Sequence, residues 1–217
     1  MILSRSGPVV IIAPHPDDET LGTGRLIMAL RRAGIKPAFI MLTDGGGSHP
    51  QSAKWPSDRL TRLRQQELRR ALGRLGISQP IIRHMRWRDG HLNEDGRVLR
   101  LRAVLNSFHA KTVLVTSPQD HHPDHKAAFA LALAAVDRRK MTLWSYAVWS
   151  RMALRARKAF DAGRAQQHWA MKAHRSQIGD YIGDDPAGFS FTADMLAAIL
   201  NTEERYVRAR RSTESVA

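Results

Sequence analysis

The chain has no cysteine among its 217 residues. That excludes disulfides and thiolate ligands, so any metal it binds must be held by His, Asp and Glu. It also lacks a long apolar run. The longest, AAFALALAAV from Ala127 to Val136, is half of what a membrane-spanning helix needs, and no transmembrane segment is expected. The opening MILSRSGPVVIIA is too short in apolar residues for a signal peptide, which predicts a cytoplasmic protein. Acids are the third shortage, 20 against 34 Lys and Arg, for a formal charge of +14. A basic surface suits nucleic acid, anionic lipid or a phosphorylated substrate. Here, however, the arginines are spread through helical patterns such as DRLTRLRQQELRRALGRLG and RMALRARKAF. They form no basic tail and are not interleaved with aromatics. They read as solvated helix faces, and no nucleic-acid partner is expected. A basic nucleic-acid-binding module with a structural metal is the non-enzymatic alternative.

What remains is an ordinary globular composition, 43% hydrophobic and 25% charged, of a length that fits one domain over 1–217. The charged residues from about 202 to 217 read as a polar C-terminal tail. Strands are predicted at Val9–Ala13, Pro37–Thr43, Ile81–Met85, Thr112–Ser117 and Thr142–Trp149. The first and fourth are continuously apolar, as in parallel strands covered on both faces. Helices are predicted over Thr20–Arg32, over Asp58–Leu75 with Ser57 as N-cap, and over Asp124–Arg139 with a proline in its first turn. From Met152 the pattern turns mostly helical. The β-α-β-α order predicts an α/β fold: a Rossmann-like, doubly wound, mostly parallel sheet with helices on both faces. A long Gly/Ser/Pro loop, Asp44 to Asp58, follows the second strand, a length that marks function or disorder.

Two clusters stand where strands end. PHPDDE, residues 14–19, follows the first strand, and SPQDHHPDH, residues 117–125, follows the fourth. In an open α/β sheet, ligands bind beyond the carboxyl ends of the strands, so both clusters lie on the functional edge. Crowded carboxylates repel unless a cation joins them. His15 and Asp18 are three apart, as are His122 and His125, a spacing that turns two side chains to one side. Two His and one carboxylate form a catalytic zinc set that leaves a fourth position for water.

PHPDDE with the following LGTG, then LTDGGGSHP and HHPDH, resembles the LmbE-like/PIG-L de-N-acetylases. RQQELRRALGRLGI, WRDGHL and AHRSQ extend the likeness over roughly residues 9–180. The resemblance implies a metal-dependent amidohydrolase that removes acetyl from an N-acetylglucosamine-type conjugate. It implies His15, Asp18 and His125 as metal ligands and Asp17 as the base toward the metal's water. His122 would stabilise the oxyanion or protonate the leaving amine, and Asp124 would orient and charge His122. Amide hydrolysis needs these residue types: a metal to activate water, a carboxylate beside it, and a donor for the oxyanion. Zn2+ is favoured, while Fe2+ or Co2+ would accept the same ligands. The partner implied is a small N-acylated sugar or glycoconjugate; another N-acyl group stays open as the alternative, as does self-association into a homo-oligomer. Where the family commonly has Gly-x-Gly-Gly, this chain reads GTGR, so Arg25 either alters helix packing or adds a surface charge.

Other residues carry two readings each. Asp44 either touches the site or forms the turn before Gly45. Arg64 reaches a substrate hydroxyl or phosphate, or is a solvated helix arginine. Asp89 is a turn former or a substrate contact. His49 reads as a solvent-exposed loop histidine, and His174 as a candidate to line the site. The Trp144, Tyr146, Trp149 alternation reads as one strand face in the core.

Overall fold

The computed structural model describes residues 7–92, 97–150, 158–160 and 162–209. Its elements are β1 (Val9–Ala13), α1 (Asp18–Arg32), β2 (Ala38–Thr43), α2 (Ser57–Arg74) and β3 (Ile81–Trp87), then α3 (Arg97–Ser107), β4 (Thr112–Thr116), α4 (Pro123–Ala135) and β5 (Thr142–Tyr146). After these come β6 (Lys158–Phe160), α5 (Arg164–Met171), a 3-10 turn at Arg175–Gln177, α6 (Ala193–Leu200) and β7 (Glu204–Arg208). The sheet order is β3-β2-β1-β4-β5-β7-β6. The first five strands are parallel, and β7 runs antiparallel to both β5 and β6.

β1 explains the layering. All five of its residues are buried. Val9, Ile11 and Ala13 pack with Leu21, Leu26, Leu30, Leu68 and Leu72 of α1 and α2. Val10 and Ile12 pack on the other face with Leu101, Leu105, Ala128 and Ala132 of α3 and α4. A strand apolar on both sides is thus sandwiched between two helical layers, and the doubly wound α/β fold is realised. The winding reverses at β1: β2 and β3 lie on one side, β4 and β5 on the other. The crevice at that reversal, beyond the carboxyl ends of β1 and β4, is where such sheets bind ligands.

The C-terminal third departs from the sequence reading. Residues 204–208, expected to belong to a polar tail, form β7 inside the sheet. Glu204 and Tyr206 alternate inward and are fully buried. The Glu204 carboxylate accepts the backbone N–H of Arg25 (2.7 Å) and Leu26 (3.0 Å), the Gln167 amide (2.8 Å) and the Tyr206 hydroxyl (2.7 Å). A charged strand is tolerated inside because its acid finds so many donors. Arg25 is correspondingly no surface charge: it is fully buried, its Nε donating to Gln167 at 2.8 Å and a guanidinium nitrogen to the Leu200 carbonyl. The segment RMALRARKAF lies largely outside the described residues, and its end is strand β6 rather than helix. Residues 210–217 also lie outside them. Helix α3 has no counterpart in the sequence reading, and α4 ends at Ala135 rather than Arg139. Among the described residues, no helix is long and apolar enough to cross a membrane.

Candidate active site

The site grows from the two strand ends. Beyond β1, Asp17 adopts φ 153° and ψ −29°, a conformation that costs a non-glycine residue about 1–3 kcal/mol and persists where its surroundings over-determine it. Two groups hold it. Its N–H donates to the buried Glu19 carboxylate at 3.1 Å, and its own carboxylate accepts from Arg64 Nη2 at 3.0 Å. Glu19 takes the Thr20 hydroxyl as well and lies 3.7 Å from His174 Nε2. Arg64, 2% exposed, also donates to the Gly45 and Pro16 carbonyls, tying together the loops after β1 and β2. It is therefore not a solvated helix arginine.

Asp18 sits between two imidazoles. Its Oδ2 is 3.2 Å from His15 Nδ1 and its Oδ1 is 3.1 Å from His125 Nε2. Donors about 2.0–2.1 Å from a tetrahedral zinc stand roughly 3.3 Å apart. Both contacts match that edge pairwise, through different oxygens of Asp18. Two sets of donors lie close enough together to hold a divalent cation, His15 with His122 and His125, and His15 with Asp89 and Asp124, each offering one atom within 4.8 Å of the others; Asp18 is in neither set. His15 Nε2 faces two further carboxylates, Asp89 at 2.9 Å and Asp124 at 3.1 Å.

Electrostatics agree with the donor chemistry. Burial lowers the His15 pKa, yet Asp89, Asp124 and Asp18 carry it well above the usual imidazole range. Burial likewise opposes His125, but Asp18 and Asp120 raise it to about 9. The pocket of acids demands positive charge, which protons supply here and a cation would supply better. Asp17 differs from its neighbour: burial pushes its carboxyl up to about 6 against the pull of Arg64, whereas Asp18 is held well below the usual range, burial being overcome by His125 and His15. Environments that drive adjacent acids in opposite directions mark separate roles for them.

Residues 10–136 match the family model described as PIG-L, GlcNAc-PI de-N-acetylase. The chain belongs to the PIG-L family. Among PIG-L relatives, the chain is 30% identical to the 1D-myo-inositol 2-acetamido-2-deoxy-alpha-D-glucopyranoside deacetylase of Corynebacterium urealyticum, over 60% of this chain and 48% of that one. It is also 30% identical to the diacetylchitobiose deacetylase of Thermococcus kodakarensis, over 59% and 48% of the two chains. The chain thus spans about half the length of the curated relatives it matches. In structure it resembles N,N'-diacetylchitobiose deacetylase from Pyrococcus horikoshii, with TM-score 0.77, 19% identity and coverage of 96% and 85%. The fold also resembles GalB, the 4-carboxy-2-hydroxymuconate hydratase of Pseudomonas putida, with TM-score 0.65, 16% identity and coverage of 97% and 100%. Fold alone therefore does not choose the reaction, and the site has to.

The family motifs acquire physical meaning here. Glu67, three after Arg64, accepts the Ser176 N–H (2.9 Å) and hydroxyl (2.6 Å), which clips α2 to the HRSQ turn. Gln177 of that turn lines the cavity, a residue the sequence reading did not single out. Gly22 of LGTG lies under the Tyr146 ring, where a Cβ would fall 2.3 Å from a ring carbon. Asp89 lines the cavity and touches His15, while its Oδ2 accepts the Gly47 N–H at 3.0 Å, so it is more than a turn former. Asp44 has the plainer role, its carboxylate capping its own turn through the Gly46 N–H at 3.0 Å.

Asp124 stands differently from expectation. Its carboxylate serves His15 and the Gly90 N–H (2.8 Å), and only its backbone N–H reaches His122, at Nδ1 (3.2 Å). Its pull on His122 is outweighed by burial and by His15 and His125, which push His122 down to about 4. With Nδ1 accepting, a neutral His122 carries its proton on Nε2. His49 is 3% exposed rather than solvated, because Gly188 packs on its ring. His174 is fully buried behind Glu19 and does not line the cavity. Trp144 and Tyr146 are core, but β5 ends before Trp149, which lines the cavity.

Sequence reasoning missed Asp120. Fully buried, it sets its Oδ2 2.9 Å from His125 Nδ1 and accepts the backbone N–H groups of Val148, Trp149 and Ser150 at 2.8–3.1 Å. A carboxylate on the far nitrogen of a ligating imidazole fixes its tautomer and orientation. Asp120→Ala is expected to weaken metal affinity about 10–100-fold in chelator competition. Unchanged affinity would mean that other contacts hold His125.

Proposed function

We propose that this chain is a metal-dependent hydrolase that removes the N-acetyl group from an N-acetylglucosamine-type sugar conjugate. The observation that carries the reading is Asp18 set between His15 and His125, with Asp17 beside it but turned to Arg64, in one cavity of about 360 Å3. The names of the relatives, deacetylases of acetamido sugars, support the substrate class. His15, Asp18 and His125 would hold the ion; Zn2+ suits this donor set best, and Fe2+ or Co2+ also fit it. When bound, such an ion polarises an amide carbonyl and brings the pKa of the attacking water toward roughly 7.

The chain's own residues supply the rest. Asp17 takes the water's proton on the carboxylate that Arg64 and the strained backbone aim at the cavity. Its partner Arg64 holds that carboxylate in place through a hydrogen bond of 3.0 Å. His122 presents Nε2–H to the developing oxyanion or to the departing amine. Asp89 and Asp124 fix His15 through Nε2, and Asp120 fixes His125 through Nδ1, so the ligands are oriented before substrate arrives.

Purified protein should carry about one metal per chain and release acetate from N-acetylglucosamine conjugates. Chelation should abolish the release, and Zn2+ should restore it. Bound metal without acetate release from any conjugate would sink the deacetylase reading. Absence of metal under replete conditions would remove the mechanism itself.

A further inference from the structure

The cavity has two unlike halves. One is the polar group just described. The other is an apolar wall of Trp149, Phe189 and Phe191, with Pro50 and Ala187 beside them. Trp149 stacks on Phe191, centroids 5.3 Å apart and planes 18° from parallel, and Phe189 meets Phe191 edge-on at 4.9 Å and 83°. Phe191 is buried, but Phe189 remains 38% exposed at the cavity.

This wall is mounted rigidly. Phe189 N–H donates to the Ser48 carbonyl at 2.7 Å, and Gly188 lies against the buried His49 ring so closely that a Cβ there would fall 2.2 Å from it. Asp184 accepts from Ser52 and from the Lys54 N–H, and Asp185 accepts the Gln51 N–H, at 2.8–2.9 Å. The loop after β2 is therefore zipped to the segment bearing Phe189. The Trp149 backbone N–H donates to Asp120, the carboxylate that also holds His125. One buried acid thus ties the backbone of Trp149 to the His125 ring.

None of these rings takes part in amide hydrolysis as derived above. Folding leaves Phe189 uncovered although its neighbours are packed, and an apolar patch beside a reactive centre marks a surface that a ligand covers. Aromatic faces give large apolar contact at defined geometry, while the opposite half offers charged and hydrogen-bonding groups for the amide and hydroxyls. We infer that this site selects N-acylated sugars that bear an apolar substituent, aryl or alkyl, which seats against Trp149, Phe189 and Phe191. The inference rests on the deacetylase reading and narrows its substrate. The substituent has two sources, the aglycone or the acyl chain, with the same chemistry at the wall.

The test compares kcat/KM of the zinc-loaded protein for the methyl and phenyl glycosides of N-acetylglucosamine, and for N-acetyl against N-hexanoyl on the methyl glycoside. Calorimetry measures binding of the deacylated methyl and phenyl glucosaminides to the same protein. Within at least one pair the apolar member should be favoured about 10–100-fold, mainly through KM. In Phe189→Ala that ratio should fall to about threefold or less. Phenyl preference assigns the wall to the aglycone, and hexanoyl preference assigns it to the acyl chain. Turnover of all compounds with equal kcat/KM within each pair overturns this inference and leaves the deacetylase reading standing. Where no compound turns over, the deacetylase reading falls. Calorimetry then decides the wall alone: a phenyl glucosaminide bound at least about tenfold tighter supports it, and equal binding overturns it.

Discussion

Asp17→Asn is expected to keep its metal and to lose about 10²–10⁴-fold in kcat/KM, the usual worth of a positioned general base. Three observations set this expectation. Asp17 faces Arg64 at 3.0 Å, whereas the adjacent Asp18 faces His15 and His125, a separation that supports the proposed division of the two acids between proton and ion. Burial holds Asp17 at about 6, basic enough to accept a proton near neutrality yet able to release it. Asparagine keeps the shape and an oxygen for Arg64, and the strained backbone is still tied to Glu19 through its N–H. Metal content and thermal midpoint should therefore change little while turnover collapses. Turnover within about threefold of the parent would exclude Asp17 as the base. Loss of metal together with activity would instead make it a ligand. Asp18→Asn offers the contrast, since there the metal itself should leave.

The second large effect lies far from the chemistry. Glu204→Ala should lower stability by about 3–5 kcal/mol, the cost of breaking a buried charged network by removing one member. For a chain of this size that corresponds to a fall of roughly 6–20 °C in Tm. The acid is fully buried and satisfies donors from α1, α5 and its own strand at 2.7–3.0 Å. Alanine removes the acceptor shared by the Arg25 and Leu26 N–H groups, the Gln167 amide and the Tyr206 hydroxyl, and losing a buried charged partner is costly. The neighbouring Glu203 is exposed. Its alanine variant should stay within about 0.5 kcal/mol of the parent, as surface changes do. Equal thermal midpoints for the two variants would show that the network does not hold β7 in the sheet.

Legibility in the sequence follows from how local each feature is. β1 was legible to the residue because five contiguous apolar side chains admit one placement, between two covering layers. The clustering of His15 with Asp18, and of His122 with His125, was legible because each is a local pair on a strand-to-helix turn, and local spacing is geometry the chain carries itself. β7 was not, because Glu-Arg-Tyr-Val-Arg has the composition of a solvated segment. Donors from residues 25, 26 and 167, distant in sequence, help make its acid acceptable inside. Arg25 was ambiguous for the same reason, since a lone arginine on a helix says nothing of a glutamine 142 residues away.

At the site, the sequence by itself determined the inventory: the donor types, their pairing and their place at the strand ends, from which the proposed cation with a carboxylate base beside it is drawn. Tertiary structure decided the assignments between neighbours. It turned Asp124 to His15 rather than to His122, buried Arg64 against Asp17, and put Asp120 behind His125. It also brought Trp149, Phe189 and Phe191 together from segments some 40 residues apart to form half of the cavity. The physical reason is range. Periodicity and turn chemistry act over a few residues, whereas the partner of a buried charge or ring is whatever the packed layers deliver to it.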